Sequence, residues 1–204
     1  MNHINAPALV IDDGGVAALV VCCVAAEPTR VTPFAAPPGG ASAGNRIDAS
    51  KRRAGLLGLA ETVVREGTGS ELSDDPFAET TAILLDAGRL AGRLGLTTIV
   101  WPVHLGIDLD AMERELARAR LVERLVCLDA PGGVAATGLR IETPLLDLTH
   151  EQIASLARDL DAPLDAAWWC LKAGPAPCGR CGSCRRWEAA LNPAGGVGAT
   201  GSNG

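Results

Sequence analysis

Residues 75–103 read DPFAETTAILLDAGRLAGRLGLTTIVWPV, and the fold class turns on how they are interpreted. Asp75 before Pro76 marks a helix start: a polar cap, then a residue whose missing N–H costs nothing in the first turn. Apolar residues follow at Phe77, Leu84, Leu85, Ala87, Leu90, Ala91 and Leu94, and Gly95 is placed to stop the helix. Residues 96–103, with Thr98, Ile99, Val100 and Trp101, then read as a buried strand. Helices alternating with strands imply an α/β fold: a mostly parallel, doubly wound sheet with helices on both faces.

Upstream, residues 8–11 form an apolar run ending in Asp12-Asp13-Gly14-Gly15, as a buried parallel strand entering a glycine turn would. Residues 16–26 are continuously apolar, and periodicity cannot separate a second strand from a buried helix there. Residues 30–34 read as the next strand and 37–44 as a loop. A helix is expected from a cap at Asp48 to a stop at Gly58, then a strand over 59–64 and a loop over 67–73. Downstream, a charged amphipathic helix spans 110–120, a strand 124–128, a loop 131–138 and a strand 139–146. Thr149 to Gln152 fits a capping box, with Leu148 stapling onto Ile153, and Pro163 closes that helix. His150 falls in its first turn and is expected in solvent. His104 and Asp147 fall at strand ends, where His104 could contact a ligand and Asp147 could fix a turn. Ligands of such sheets bind at the carboxyl ends of the strands, here near the first glycine turn.

The 204 residues suit one body with a proper core, and 48% hydrophobic against 21% charged residues is a globular balance. A net charge of −6 argues against broad nucleic-acid binding. The first residues show no signal-peptide pattern, and runs such as 16–26 are too short to cross a bilayer, so a cytoplasmic protein without membrane partners is expected.

Four of the seven cysteines lie at Cys170, Cys178, Cys181 and Cys184. Glycine follows two of them, at Gly179 and Gly182, and permits the tight turns in which backbone N–H groups face sulfur. Four thiolates can enclose a tetrahedral Zn2+ and leave no open position, which marks a structural metal. Arg180, Arg185 and Arg186 would offset part of the charge. An iron–sulfur cluster stays open, because Cys178, Cys181 and Cys184 match three ligands of a ferredoxin-type run, although the fourth Cys with its Pro is missing. Disulfides and a redox-active pair fit less well.

From Arg140 onward the chain resembles the 7-cyano-7-deazaguanine synthase family of queuosine biosynthesis. The resemblance rests on Thr143-Pro144-Leu145-Leu146-Asp147-Leu148-Thr149, Glu151-Gln152-Ile153, Trp168 to Cys170, and Cys178-Gly179-Arg180-Cys181-Gly182-Ser183-Cys184. It implies an ATP-pyrophosphatase domain of adenine-nucleotide-hydrolase-like architecture with a structural zinc. In it, residues 16–26 are the first helix and 30–34 the second strand. It also implies ATP and Mg2+, a purine-like small molecule, and chemistry in which adenylation of a carboxylate precedes attack by ammonia. The family's Ser-Gly-Gly-x-Asp-Ser loop corresponds to Asp13-Gly14-Gly15-Val16-Ala17-Ala18 here, so Gly14 and Gly15 are the nucleotide-binding candidates. The polar side chains around them are replaced, which counts against ATP and Mg2+. Asp75-Pro76-Phe77 stands where the family has Gly-Arg-Asn, and no Tyr-Pro-Asp-Cys-Arg lies between His104 and Met112. The expectation is therefore a degenerate homologue, the alternative being an active ligase that makes the nitrile of a 7-carboxy-7-deazaguanine-like base. A sulfur-handling enzyme of the same fold, using Cys127 or the cluster, is a third reading. A homo-oligomer is compatible with all three. The expected organisation is an α/β body over 1–166, a zinc module over 167–191 and a disordered tail over 192–204.

Overall fold

The computed structural model describes residues 7–25, 27–66, 76–129 and 138–192. Among these described residues, five strands, β1 (Ala8–Asp12), β2 (Val31–Ala35), β3 (Val63–Val64), β4 (Thr98–Val100) and β5 (Arg140–Glu142), form one sheet in the order β3-β2-β1-β4-β5. Every pairing is parallel. The connecting helices are α1 (Val16–Cys23), α2 (Ala43–Leu57), α3 (Pro76–Leu94) and α4 (Leu109–Asp129), followed by α5 (His150–Asp159) and α6 (Gly182–Leu191).

Alternation along β1 builds two cores. Ala8 and Val10 join Val31, Val100, Leu19, Val20, Ile153 and Trp187 on the face carrying α1, α5 and α6. Leu9 and Ile11 join Phe34, Ile99, Leu84, Ala91 and Val126 on the face carrying α3 and α4. Side chains of successive strand residues point to opposite faces, so a strand covered on both sides is apolar along its length, here from Ala8 to Ile11, and a charge at its end, Asp12, must be paired. All five residues of β1 are buried. The α/β, doubly wound architecture expected from the sequence is the one observed.

Residues 16–26, left open between helix and strand by periodicity, contain a helix, α1, as the resemblance implied, because a parallel pair needs a crossover between β1 and β2. Several other local expectations are corrected. α2 begins at Ala43, so Asp48 lies inside it and the expected loop over 37–44 is shorter. Gly44 and Asn45 are poor helix formers, but α2 carries Arg46 and Arg53 into the protein, and packing overrides propensity. The strand over 124–128 does not exist: α4 runs through it, because Val122, Val126 and Cys127 pack on the face that also buries α3. A Cβ on Gly88 of α3 would lie 2.5 Å from Val126, so that glycine lets the two helices approach. The strands over 59–64, 96–103 and 139–146 shrink to β3, β4 and β5. Pro102 and Pro144, which lack a backbone donor, follow the last two. The capping box forms as expected: Gln152 N–H donates to Thr149 Oγ1 at 3.4 Å, and Thr149 N–H to Gln152 Oε1 at 2.8 Å. The cap at Asp75, the loop over 67–73, most of the loop over 131–138 and the tail from 193 lie outside the described residues.

Strand order reverses direction at β1, which has β2 on one side and β4 on the other. The carboxyl ends of β1 and β4 therefore open a crevice between crossovers that lead to opposite sides, the place where open α/β sheets bind ligands.

Candidate functional site

Two groups of residues carry chemistry, and one segment joins them. At the end of β1 the chain turns through Asp12-Asp13-Gly14-Gly15 into α1. Gly14 has φ +79°, and a Cβ there would lie 2.5 Å from the Arg46 carbonyl oxygen, so only glycine fits. Asp12 is fully buried, and its Oδ1 accepts the Gly14 N–H at 2.8 Å and Arg53 at 2.6 Å. Arg53, equally buried, also donates to the carbonyls of Gly15 and Ala166, each at 3.0 Å. Asp13 Oδ1 accepts the Gly15 N–H at 2.9 Å, and its Oδ2 meets Arg46 at 3.0 Å. The N–H groups of Gly14 and Gly15, the donors a glycine loop offers to an anion, are thus taken by the chain's own carboxylates.

Beside this loop lies a crevice of about 360 Å3. Its walls include Trp101, Trp169 and Trp187, and its charged residues are Asp13, Arg46 and Glu79. Among the described residues, the buried Trp169 Nε1 and Arg46 Nε have no hydrogen-bond partner. His104 lines the crevice too; its ring centroid lies 4.7 Å from that of His150 and 5.7 Å from that of Trp187. Burial, then the neighbouring His150, holds His104 below its ordinary value, so it is neutral near pH 7. His150 is not a free first-turn residue: its ring packs 4.7 Å from Trp187. Residue spacing could not show this, because Trp187 arrives on α6, a helix the sequence reading did not separate from the cysteine segment.

The four candidate metal ligands, Cys170, Cys178, Cys181 and Cys184, converge with all four sulfurs within 4.8 Å of one another. Cys178 Sγ and Cys184 Sγ are 3.9 Å apart. Tetrahedral bonds of ~2.3 Å to one zinc ion would set sulfurs ~3.8 Å apart, so the donor set fits a single four-coordinate ion. Backbone N–H groups of Lys172 and Cys178 point at Cys170 Sγ, at 3.3 and 3.4 Å. Cys181 caps α6, its sulfur accepting the Cys184 N–H at 3.4 Å. Backbone N–H groups of Leu171 and Cys184 lower the Cys181 thiol to about 6, while burial pushes Cys184 up to about 12. Four crowded thiols cannot all ionise without a cation between them, and that opposition suits a metal site. Cys127 lies on the other face of the sheet, in α4, apart from the cluster.

The segment before the cysteines grips the glycine loop. Trp168 N–H donates to the Gly14 carbonyl at 2.8 Å, two residues before Cys170. Arg52 donates to the Asp165 carbonyl at 2.5 Å, and Asn45 Nδ2 to the Gly174 carbonyl at 2.9 Å.

Residues 117–195 match the family of the queuosine biosynthesis protein QueC. The C-terminal part of this chain is similar to the QueC family. A 7-cyano-7-deazaguanine synthase of Prochlorococcus marinus (strain MIT 9312) is 51% identical over 47 residues, which is 23% of this chain and 21% of that protein. One of Parasynechococcus marenigrum (strain WH8102) is 34% identical over 73 residues, 36% of this chain and 32% of that protein. The chain thus spans about a fifth to a third of the length of these curated relatives. The whole fold is shared more widely. The U34-tRNA thiolase NcsA of Methanococcus maripaludis, solved with its [4Fe-4S] cluster, matches at a TM-score of 0.53 and 15% identity, over 93% of this chain and 64% of that one. NMN synthetase of Francisella tularensis matches at 0.50 and 14%, over 96% and 80%. The QueC match holds α5, α6 and all four cysteines; the glycine loop lies outside it. No helix among the described residues is long and apolar enough to cross a membrane.

Proposed function

We propose that this chain is a 7-cyano-7-deazaguanine synthase-like protein that keeps a zinc-stabilised fold while its ATP-dependent chemistry is weakened or lost. The observation that carries this reading is Asp13. Its carboxylate holds the Gly15 N–H and Arg46, the donors nearest the place where a polyphosphate would lie. A phosphate about 4 Å from that carboxylate would be repelled by roughly 1–4 kcal/mol between water-like and surface-like dielectrics. Asp12 closes the Gly14 N–H in the same way. The crevice still has room for a purine-like small molecule, and we place the ligand there, in a cytoplasmic protein.

The cysteine segment, residues 167–191, acts in this reading as a metal module packed on an α/β body of residues 1–166. Cys170, Cys178, Cys181 and Cys184 would hold the ion. Zinc is favoured over an iron–sulfur cluster by spacing: a cubane puts four irons between the ligand sulfurs and spreads them, whereas these lie within 4.8 Å. Bound zinc supplies structure and no open coordination position.

The test is incubation of the metal-loaded protein with Mg·ATP, ammonium and 7-carboxy-7-deazaguanine, reading AMP and pyrophosphate, alongside ATP calorimetry and metal analysis. The expectation is one zinc per chain, weak or undetectable ATP binding and no AMP above a no-enzyme control. Tight ATP binding with turnover would restore the alternative, an active ligase forming the nitrile.

A further inference from the structure

Resting on that reading, a second question is what a crevice closed to polyphosphate accepts. The charged groups facing it are few. Asp13 and Glu79 are carboxylates, each fixed by a backbone N–H, from Gly15 at 2.9 Å and from Gly39 at 2.9 Å. Arg46 is its only guanidinium among the described residues, with its side chain 8% exposed and already bound to Asp13 at 3.0 Å. His104 brings no charge near neutral pH, being held below its usual value by burial. The positive end of α1 would favour an anion, but Asp13, which accepts the Gly15 N–H just before the first turn, brings its own negative charge there. The balance at the crevice is one negative charge.

The walls are aromatic. Three of the chain's four tryptophans, Trp101, Trp169 and Trp187, line this single crevice. Tryptophan faces attract cations and stack on flat rings, and desolvation strengthens both effects.

We propose that the crevice selects a planar nitrogen heterocycle carrying positive charge, with Asp13 and Glu79 as counter-charges and the tryptophans as walls. An N-alkylated or protonated purine-sized base fits this chemistry. Asp13 is then the residue that sets ligand charge: it repels phosphate and attracts the cationic ring.

The experiment is calorimetry on the metal-loaded full chain with three near-isosteric probes: 1-methylnicotinamide (cationic), nicotinamide (neutral) and nicotinate (anionic). The cation is expected to bind about tenfold more tightly than the anion, with the neutral amide between. Asp13→Asn should bring that ratio close to one, and Glu79→Gln should reduce it. Circular dichroism and metal content show that each variant is folded. Nicotinate binding as tightly as the cation, no binding of any probe, or a ratio unchanged in both variants overturns the proposal. ATP turnover with the cation preference intact would sink only the lost-chemistry reading. A missing preference without turnover would sink only this one.

Discussion

Replacing Arg53 by methionine tests the centre of the fold and the loop together. The Arg53 and Asp12 side chains are both 0% exposed, and their ion pair spans 2.6 Å. Arg53→Met keeps the stem's volume but leaves the Asp12 carboxylate buried without its countercharge. Breaking a buried pair from one side costs about 3–5 kcal/mol. The carbonyls of Gly15 and Ala166 lose a donor as well, each worth about 1 kcal/mol net. Against a domain stability of about 5–15 kcal/mol, the single substitution removes a large share. The double variant Asp12→Asn, Arg53→Met removes both charges, while the amide oxygen of the introduced asparagine can still accept from the Gly14 N–H. It should lose only about 2 kcal/mol, mainly from the two carbonyls. Urea unfolding at fixed free zinc, followed by tryptophan emission, reads both numbers from the midpoints at constant slope. The reasoning fails if Arg53→Met loses less than about 1 kcal/mol, or if the double variant loses as much as the two single variants summed.

Two further outcomes follow from the same geometry. Chelation should lower the urea midpoint, by the equivalent of about 4 kcal/mol of unfolding free energy relative to protein at free zinc about 1,000 times its Kd. Cys184→Ser, at a fully buried candidate ligand, should abolish metal content and that stabilisation together, while Cys23→Ser leaves both intact; a midpoint indifferent to chelator refutes a structural metal. His104 sets an acid limit. Its value is lowered in the native state, so the unfolded chain binds protons below about 6.5 that the native state refuses, and stability falls as pH drops from there toward the lowered value. His104→Phe should lose less stability than the parent between pH 7.5 and pH 5.5 (about neutral to mildly acid, the window given by that shift), and an equal loss would remove His104 as the cause.

Much of the architecture was legible because it depends on local pattern. The strand of β1 showed as an apolar run before a glycine turn, and α5 as a capping box with helical apolar spacing, since both signals lie within a few residues. Strand–helix alternation then implied a parallel sheet. Where continuous apolarity was the only signal, as in residues 16–26 and 124–128, it could not separate helix from strand, and partners decided. α1 is the crossover between paired β1 and β2, and α4 continues because Val122 and Val126 have α3 to pack against.

Residue types along the chain were enough for the ligand chemistry of the cysteines, because thiol type and number are local facts. They were enough, too, to show Asp13 beside Gly14 and Gly15, with the apolar Val16, Ala17 and Ala18 after them. What Asp13 does there depends on the folded arrangement. Arg46 and Arg53 are two ordinary helix positions in sequence, 33 and 41 residues from their carboxylate partners. Folding α2 across the end of β1 turns them into the counter-charges that hold Asp12 and Asp13 over the glycine N–H groups. The three tryptophans are likewise scattered over Trp101, Trp169 and Trp187, and meet only where β4, the cysteine segment and α6 converge. Charge pairing and cavity walls depend on distance through space, which residue spacing along a chain does not encode.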